Sequence, residues 1–372
     1  MRLALPDVPT SATPTVALLL PCHDEAAYLP SLLATLVPQI EAHPGWRLVA
    51  VNDSSTDATG ELLDAAAASS AASRLRVIHG HFGSPGGART AAASSVTVLG
   101  RGAQPDWLLT IDCDVELPDD FVTRWAARVA EVHDDESIGA LNGDEHQAHL
   151  LEPFPHARRA SAAFGLAANR AEAAIGITNL NGVNHAVRTI AYLTAGPYLQ
   201  PTVLGPDGVV DLAGEDWDLG VRLRLAGFRI EPCTVAVRDR GRRLLADVLA
   251  YLSGEAYEGA FRRVHGDAPQ DIDPALLTEI VDGTVARVLL HFFCKPVLAQ
   301  PELLDGDGAA ERLGLADDTV TSMRTWITRW PHPTFSESRH GFVYGRLPRF
   351  ADAHIGALRR DLGLTTTDLA HA

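Results

Sequence analysis

Short apolar segments alternate with helical segments in the first third of this chain, and that alternation constrains the fold more than any other feature. The apolar segments are residues 16–22, 47–53, 74–80 and 106–112. Segments with helical spacing separate them, and the second helix is expected to begin within residues 54–57. Buried strands joined by helices of this length are typical of a mainly parallel sheet with helices on both faces. We therefore predict an α/β fold with a Rossmann-like first half.

The character of the sequence changes after about residue 243, from alternating strand and helix signals to almost continuous helix. We predict three parts: an N-terminal extension at 1–13, an α/β domain at 14–245 and a mostly helical C-terminal region at 246–372. Four aromatic residues of the last part either select a second substrate or pack its helices together: Trp326, Trp330, Phe342 and Tyr344.

The net charge of −16, from 31 lysine and arginine residues against 47 aspartate and glutamate residues, restricts the partners of the chain. Binding to nucleic acid normally requires basic patches, so no nucleic-acid partner is expected. A ligand that carries phosphate would need local arginines, a helix N-terminus or a metal ion to offset the acidic charge.

No apolar stretch reaches the roughly 18 residues of a membrane-spanning helix. The first residues also lack the apolar core of a signal peptide, so the expected location is cytoplasmic, with peripheral membrane contact left open. The four cysteines have no metal-binding spacing and are expected to be free, mostly buried thiols: Cys22, Cys113, Cys233 and Cys294.

Polar residues cluster where the predicted strands end, at residues 22–25, 52–53, 79–81 and 112–114. Ligands of parallel sheets bind beyond the carboxyl ends of the strands, so these clusters are expected to share one site. Each cluster alone is also compatible with an ordinary polar loop. Their recurrence in consecutive strand–helix units favours a binding site.

Asp112 and Asp114 flank Cys113 at the end of the fourth predicted strand. Side chains alternate along a strand, so the two carboxylates face one side while Cys113 faces the other. Two neighbouring carboxylates require a positive partner, and their oxygen atoms favour Mg²⁺ or Mn²⁺. A solvated turn in which Asp114 caps the following helix is the alternative.

Two further residues follow predicted strands or begin predicted helices in places where a ligand could bind. Asp53 either caps the next helix or accepts a hydrogen bond from a nucleobase or a ribose hydroxyl. Arg89 lies in the first turn of the helix that follows the loop GSPGG, where the helix dipole favours an anion over a cation. A bound anion would explain this arginine, and an ordinary surface arginine is the alternative.

Glu215 and Asp216 begin an amphipathic helix in the segment GEDWDLGVRLRLAGF. Acidic residues commonly stabilise the first turn of a helix. A carboxylate in that position could instead act as a general base, provided that a substrate hydroxyl comes within hydrogen-bond reach.

Six segments, taken in their order and spacing, resemble glycosyltransferase family 2: PCHDEAAYLPSLLATL, VNDSSTDATGELL, GSPGGARTAA, DWLLTIDCDVELPDDFV, NGVNHAVRTIAYLTAGPY and GEDWDLGVRLRLAGFRI. The resemblance covers about residues 14–240 and implies a catalytic domain of GT-A fold with a nucleotide-binding half. It implies a nucleotide-diphosphate-sugar donor, above all a UDP- or GDP-sugar, and a hydroxyl acceptor. Asp24 and Thr90 replace asparagines of the family motifs, which weakens any inference about the donor.

By position, the resemblance assigns roles to the acidic residues. Asp53 corresponds to the acid that recognises the base of the donor. Asp114 corresponds to the direct metal ligand, and Asp112 to the acid that contacts the ribose or the metal. Asp216, with its neighbour Glu215, corresponds to the catalytic base of inverting members.

The resemblance also implies a set of contacts around these acids. The loop that closes on the donor sugar and the acceptor corresponds to Gly182, Asn184 and Trp217. The remaining contacts expected for the donor nucleotide are Pro21, His23, Glu25, Gly87, Arg89 and Cys113. In the segment RDRGRR after the last predicted strand, Arg242 or Arg243 either contacts a phosphate or belongs to a surface cluster.

The implied reaction is a metal-dependent, inverting glycosyl transfer in which Mn²⁺ or Mg²⁺ neutralises the leaving diphosphate and Asp216 takes the proton of the acceptor. A retaining transferase is the nearest alternative. A sugar-nucleotide pyrophosphorylase or a dehydrogenase would need a glycine-rich loop after the first strand, which PCHDEA lacks. A non-catalytic nucleotide-sugar-binding protein would be marked by loss of an acid, yet Asp53, Asp112, Asp114 and Asp216 are all present.

Overall fold

An eight-stranded sheet forms the centre of the computed structural model, which describes residues 13–69, 73–98, 104–146, 148–199, 202–205, 208–211, 214–240, 271–329 and 339–365. Its strands are β1 (Val16–Cys22), β2 (Trp46–Asp53), β3 (Leu75–Gly80), β4 (Trp107–Ile111), β5 (Val115–Glu116), β6 (Ile138–His146), β7 (Asn184–Arg188) and β10 (Arg229–Asp239), in the spatial order β3-β2-β1-β4-β7-β6-β10-β5. A separate antiparallel ribbon contains β8 (Thr202–Gly205) and β9 (Gly208–Asp211).

The direction of the strands places several chain segments at one edge of the sheet. β1 pairs in parallel with β2 and β4, and β2 pairs in parallel with β3. The carboxyl ends of these four strands therefore meet at the same edge, as the sequence predicts. β7 runs antiparallel to both β4 and β6, so the sheet is mainly rather than wholly parallel.

Helices cover the sheet and continue into the C-terminal region. The α/β part contains α1 (Leu29–Glu41), α2 (Thr59–Ala68), α3 (Pro85–Thr97), α4 (Phe121–Val132), a 3₁₀ turn (Ala148–Leu151), α5 (Pro155–Ile175), α6 (Thr189–Ala195) and α7 (Glu215–Leu225). The C-terminal region contains α8 (Leu277–Leu289), a π-helical turn (Leu290–Cys294), α9 (Lys295–Ala299), a 3₁₀ turn (Pro301–Leu304), α10 (Ala309–Leu313), α11 (Asp317–Thr328) and α12 (Arg339–Asp361). Within the described residues, no helix has the length and apolar character needed to span a membrane. The predicted fold class is confirmed.

The second helix begins later than the sequence predicts. α2 starts at Thr59, because Ser54 adopts a left-handed backbone conformation with φ of 55° and its hydroxyl donates to the carbonyl of Gly80. The Asp57 carboxylate then accepts a hydrogen bond from the backbone N–H of Thr59 at 2.9 Å. The polar segment after β2 is thus a loop held against β3 rather than the first turn of a helix.

Alternating side chains of the central strands fill two cores, one on each face of the sheet. Leu18 and Leu20 of β1 pack in one core, and Ala17 and Leu19 pack in the other. A third core joins α5 to the C-terminal helices. Trp326 lies there, with its ring centroid 5.1 Å from that of Phe350.

Parts of the predicted organisation fall outside the described residues. Neither the predicted boundary near residue 245 nor Trp330 lies within them. The four cysteines are buried and free, as predicted.

Candidate active site

A cavity of about 280 Å³ lies at the carboxyl ends of β1, β2 and β4. Its lining includes seven of the predicted site residues: Pro21, His23, Glu25, Asp53, Asp112, Cys113 and Asp114. The parallel register explains why segments distant in sequence converge here.

Asp53 lies at the end of β2 and holds the loop that follows β3. Its Oδ1 atom accepts hydrogen bonds from the backbone N–H groups of Phe82 at 2.6 Å and Gly83 at 3.2 Å. The residue that precedes α2 is Ala58, so Asp53 is not the cap of that helix. Its backbone carbonyl lies 2.6 Å from Nδ1 of His23. Asp53 thus both lines the cavity and holds the loop at residues 82–83.

Burial alternates along the segment Asp112-Cys113-Asp114, although Cys113 also lines the cavity that the two aspartates line. Cys113 is buried, and its Sγ lies 3.0 Å from Sγ of Cys22, whereas both aspartates are half-buried at the cavity. The residue that caps α4 is Asp120, so the alternative role of Asp114 as that cap is not found. The backbone carbonyl of Asp114 accepts a hydrogen bond from the N–H of Arg240 at 3.0 Å. This bond holds the turn against the end of β10.

The pair of aspartates has the donor set of a hard divalent cation. Among the described residues, no group of three or more His, Cys, Asp or Glu side chains gathers as a metal site. Mg²⁺ and Mn²⁺ do not require a complete protein cage, since phosphate and water oxygens can supply the remaining ligands. Asp112 and Asp114 could supply the protein's share of such a site.

Arg89 joins two acidic segments inside the protein. Its side chain is buried, and Nη2 donates to Oδ1 of Asp112 at 2.5 Å and to the carbonyl of Gly182 at 3.1 Å. Nη1 pairs with the Glu215 carboxylate, and Nε donates to Oγ1 of Thr110 at 3.2 Å. The carboxylates of Asp112 and Glu215 therefore neutralise the guanidinium of Arg89, in place of the bound anion that the sequence predicts. The guanidinium connects the end of β4 to the first turn of α7.

Asp216 follows Glu215 in that first turn and carries a strongly shifted pKa. The pKa of Asp216 is raised to about 7, mainly by burial and also by the charge of Glu215, while the charge of Arg89 opposes the change. A carboxylate with a pKa near 7 can both accept a proton at neutral pH and hold it, which suits a general base.

Gly182 lies beside this carboxylate, whereas Asn184 does not approach the cavity. A Cβ atom at Gly182 would lie 3.2 Å from Oδ2 of Asp216. Asn184 is a buried residue of β7, where its Oδ1 accepts from Nε1 of Trp125 at 3.1 Å and its Nδ2 donates to the carbonyl of Val235 at 2.8 Å. Its amide thus connects β7 with α4 and β10 in the core.

Gly87 allows the loop before α3 to close tightly. A Cβ atom there would lie 2.5 Å from the backbone carbonyl oxygen of Phe82. The Ser84 hydroxyl accepts a hydrogen bond from the N–H of Gly87 at 3.0 Å and so caps α3. The glycine-rich segment therefore fixes the wall of the cavity next to Asp53.

Trp217, the residue after Asp216, packs against the C-terminal region. Its ring centroid lies 4.5 Å from that of His291 and 5.5 Å from that of Phe292. Arg242 and Arg243 lie outside the described residues.

Seven lining residues are absent from the sequence-based set of site residues: Cys22, Ser54, His81, Gly83, Ser84, Pro85 and Ala88. The polar segment at 79–81 was a signal for His81. The two serines look like ordinary loop residues in the sequence, because only the tertiary fold brings their loops to the cavity.

Comparison with known proteins bears on this arrangement. A model of the family described as glycosyl transferase family 2 matches residues 17–150, which confirms the predicted resemblance over that part of the chain. A mannosyltransferase from Pyrobaculum calidifontis, in complex with GDP-Man and Mn²⁺, is similar over 95% of this chain and 88% of its own, with 15% identity and a TM-score of 0.47. A glucosyl-3-phosphoglycerate synthase from Mycobacterium tuberculosis, in complex with Mn²⁺, UDP and glucosyl-3-phosphoglycerate, is similar over 74% of this chain and 79% of its own, with 16% identity and a TM-score of 0.38. No curated protein sequence gives a significant match.

Proposed function

We propose that this chain, whose residues 17–150 match the model of glycosyl transferase family 2, is a glycosyltransferase that carries out one specific reaction. It moves a sugar from a nucleotide-diphosphate-sugar donor to a hydroxyl acceptor, with inversion at the anomeric carbon. The observation that carries this proposal is the double pairing of Arg89 with Asp112 and Glu215. That pairing supports one continuous site, in which the acids at the cavity and the acids of α7 serve the same reaction.

The cavity takes the nucleotide of the donor. Asp53 accepts hydrogen bonds from the base or the ribose, and Pro21, His23 and Glu25 line the same cavity. The closed loop at Gly87 keeps the backbone near the nucleotide. A UDP- or GDP-sugar is the donor class that the family resemblance favours.

Asp112 and Asp114 are the residues that would hold a divalent metal, Mn²⁺ or Mg²⁺. They fit this task because both are half-buried carboxylates that line one cavity, and oxygen ligands suit these hard cations. A metal bound there would supply positive charge to offset the charge that develops on the departing diphosphate. Arg89 orients Asp112 through its hydrogen bond. The positive charge of such a metal would let a chain with a net charge of −16 bind a pyrophosphate.

Asp216 serves as the general base. The acceptor oxygen forms its bond to the anomeric carbon while the bond from that carbon to the diphosphate oxygen breaks, and the hydroxyl proton moves to the Asp216 carboxylate. Gly182 leaves open the space next to that carboxylate, because a side chain there would crowd it.

A binding screen followed by product analysis tests the proposal. Thermal-shift measurements with UDP- and GDP-sugars are expected to show stabilisation by one donor that depends on Mn²⁺. Absence of metal-dependent stabilisation by any donor would contradict the donor and metal assignments. NMR of the product then gives the anomeric configuration, and retention would replace the inverting mechanism with the retaining alternative, in which Asp216 positions the substrate.

A further inference from the structure

Lys295 is the sole lysine of the chain, since every other residue among the 31 lysines and arginines is an arginine. It is 1% exposed, and its Nζ makes no hydrogen bond among the described residues. Burying an ammonium group without hydrogen-bond partners is costly. Lysine differs from arginine in that burial shifts its pKa readily, which suits it to chemistry at an active site. Every other basic residue of this kind in the chain is an arginine. The single lysine at this buried position therefore points to a specific role for Lys295.

The surroundings of Lys295 lead directly to α7. Nζ lies 5.1 Å from the ring centroid of Trp217 and 5.6 Å from that of Tyr344. Lys295 begins α9 directly after the π-helical turn, whose His291 ring packs on Trp217. π-helical turns often mark functional sites. The C-terminal region therefore packs on Trp217, the residue next to Asp216, and places the ammonium of Lys295 over its ring.

Acidic groups on α7 offset part of the free-energy cost of burying this cation. Burial lowers the pKa of Lys295 to about 7, while the charges of Asp216 and Asp218 oppose that change. Electrostatic coupling is mutual, so the ammonium also favours the ionised form of Asp216. The other charged or titratable groups that interact with the two residues are Glu215, Arg224, Asp218, His291, Tyr344, Tyr198 and Arg89.

We propose that Lys295 is a positioning residue of the transfer reaction: its ammonium, held between the rings of Trp217 and Tyr344, faces Asp216 from the C-terminal region and favours the carboxylate form that accepts the proton. The inference rests on the proposed function, because Lys295 acts through Asp216. It also gives the C-terminal region a direct part in the active site.

The sole lysine makes a direct spectroscopic test possible. Protein made with lysine ¹³C-labelled at Cε gives a single lysine signal, whose titration reports the pKa of Lys295 in the full chain. Asp216→Asn is expected to move that titration downward by about one pH unit, because it removes a neighbouring negative charge. Asp64→Asn, at a side chain that is 64% exposed, is the matched control and is expected to leave the signal unchanged. A titration that does not respond to Asp216→Asn would overturn the proposal.

The dependence of activity on pH supplies an independent arm. Lys295→Met is expected to move the acidic limb of kcat/KM upward by about one pH unit, a roughly tenfold loss at pH values below the limb. Lys295→Arg keeps the charge and is expected to leave the limb in place. A loss of equal size at all pH values would indicate a purely structural role and overturn the proposal. The lysine signal is read without turnover, so failure of Asp216 as the base would be seen separately from failure of its coupling to Lys295.

Discussion

Arg89 donates a hydrogen bond from Nη2 to Oδ1 of Asp112 at 2.5 Å, although the two residues lie on different elements, α3 and the end of β4. The same guanidinium pairs with Glu215 at the start of α7. Arg89 therefore holds the acids at the cavity and the acids beside Asp216 in a fixed relation.

Arg89→Met is expected to destabilise the protein by about 3 kcal/mol and to abolish most turnover, because it leaves two partly buried carboxylates without their common partner. Denaturant unfolding and initial rates measure the two effects. Arg229→Met is the control, since Arg229 is 56% exposed and its ion pairs are expected to contribute less than about 1 kcal/mol. Equal stability losses for the two variants would contradict the role given to Arg89.

Asp114→Asn is expected to remove the dependence of donor binding on Mn²⁺, because a neutral amide is a poor ligand for a hard cation. Titration calorimetry of the donor, with Mn²⁺ present and after chelation by EDTA, measures this. Asp120→Asn, at an exposed residue that caps α4 without a side-chain hydrogen bond, should behave as the unaltered protein. If donor binding by Asp114→Asn still depended fully on Mn²⁺, the metal would have to be bound by other residues.

Gly182→Ala is expected to lower kcat by about tenfold with little change in donor affinity, since the added Cβ would lie 3.2 Å from Oδ2 of Asp216 and displace the base. Gly165→Ala in α5 is the matched control. No atom lies within 4 Å of a Cβ built there, so it should be neutral or slightly stabilising. An unchanged kcat in Gly182→Ala would show that this loop does not affect the reacting carboxylate.

The rate of transfer is expected to rise with pH through a value near 7. Asp216 must be ionised to accept a proton, and its pKa is raised to about 7, so protonation removes the base at lower pH. A pH profile of kcat/KM between about pH 5 and 9 measures the limb. A rate that stays constant down to pH 5 would show that this carboxyl is not the titrating base.

The sequence predicts well the edge of the sheet at which the cavity lies. That edge depends on local periodicity and on the parallel direction of neighbouring strands. The limits of β1 coincide with the predicted segment 16–22, and the polar ends of β2 and β4 reach one cavity. The direction of β7 was not predictable, because it depends on pairing with β4 and β6 rather than on its own residues.

Side-chain partners were harder to predict than strands. The helix position of Arg89 predicts a bound anion, whereas the fold pairs this arginine with the carboxylates of Asp112 and Glu215. Asn184 shows the same limit, because its amide is used by Trp125 and Val235 in the core. Such partners come from remote segments, and no local pattern encodes them.

The measurement that tests the central claim most directly is a comparison of turnover and donor affinity in Asp216→Asn. The side chain keeps its size but cannot accept the proton, so kcat should fall by about 10²–10⁴-fold while the dissociation constant of the donor stays within about threefold. Turnover within a few-fold of that of the unaltered enzyme would contradict the assignment of Asp216 as the base.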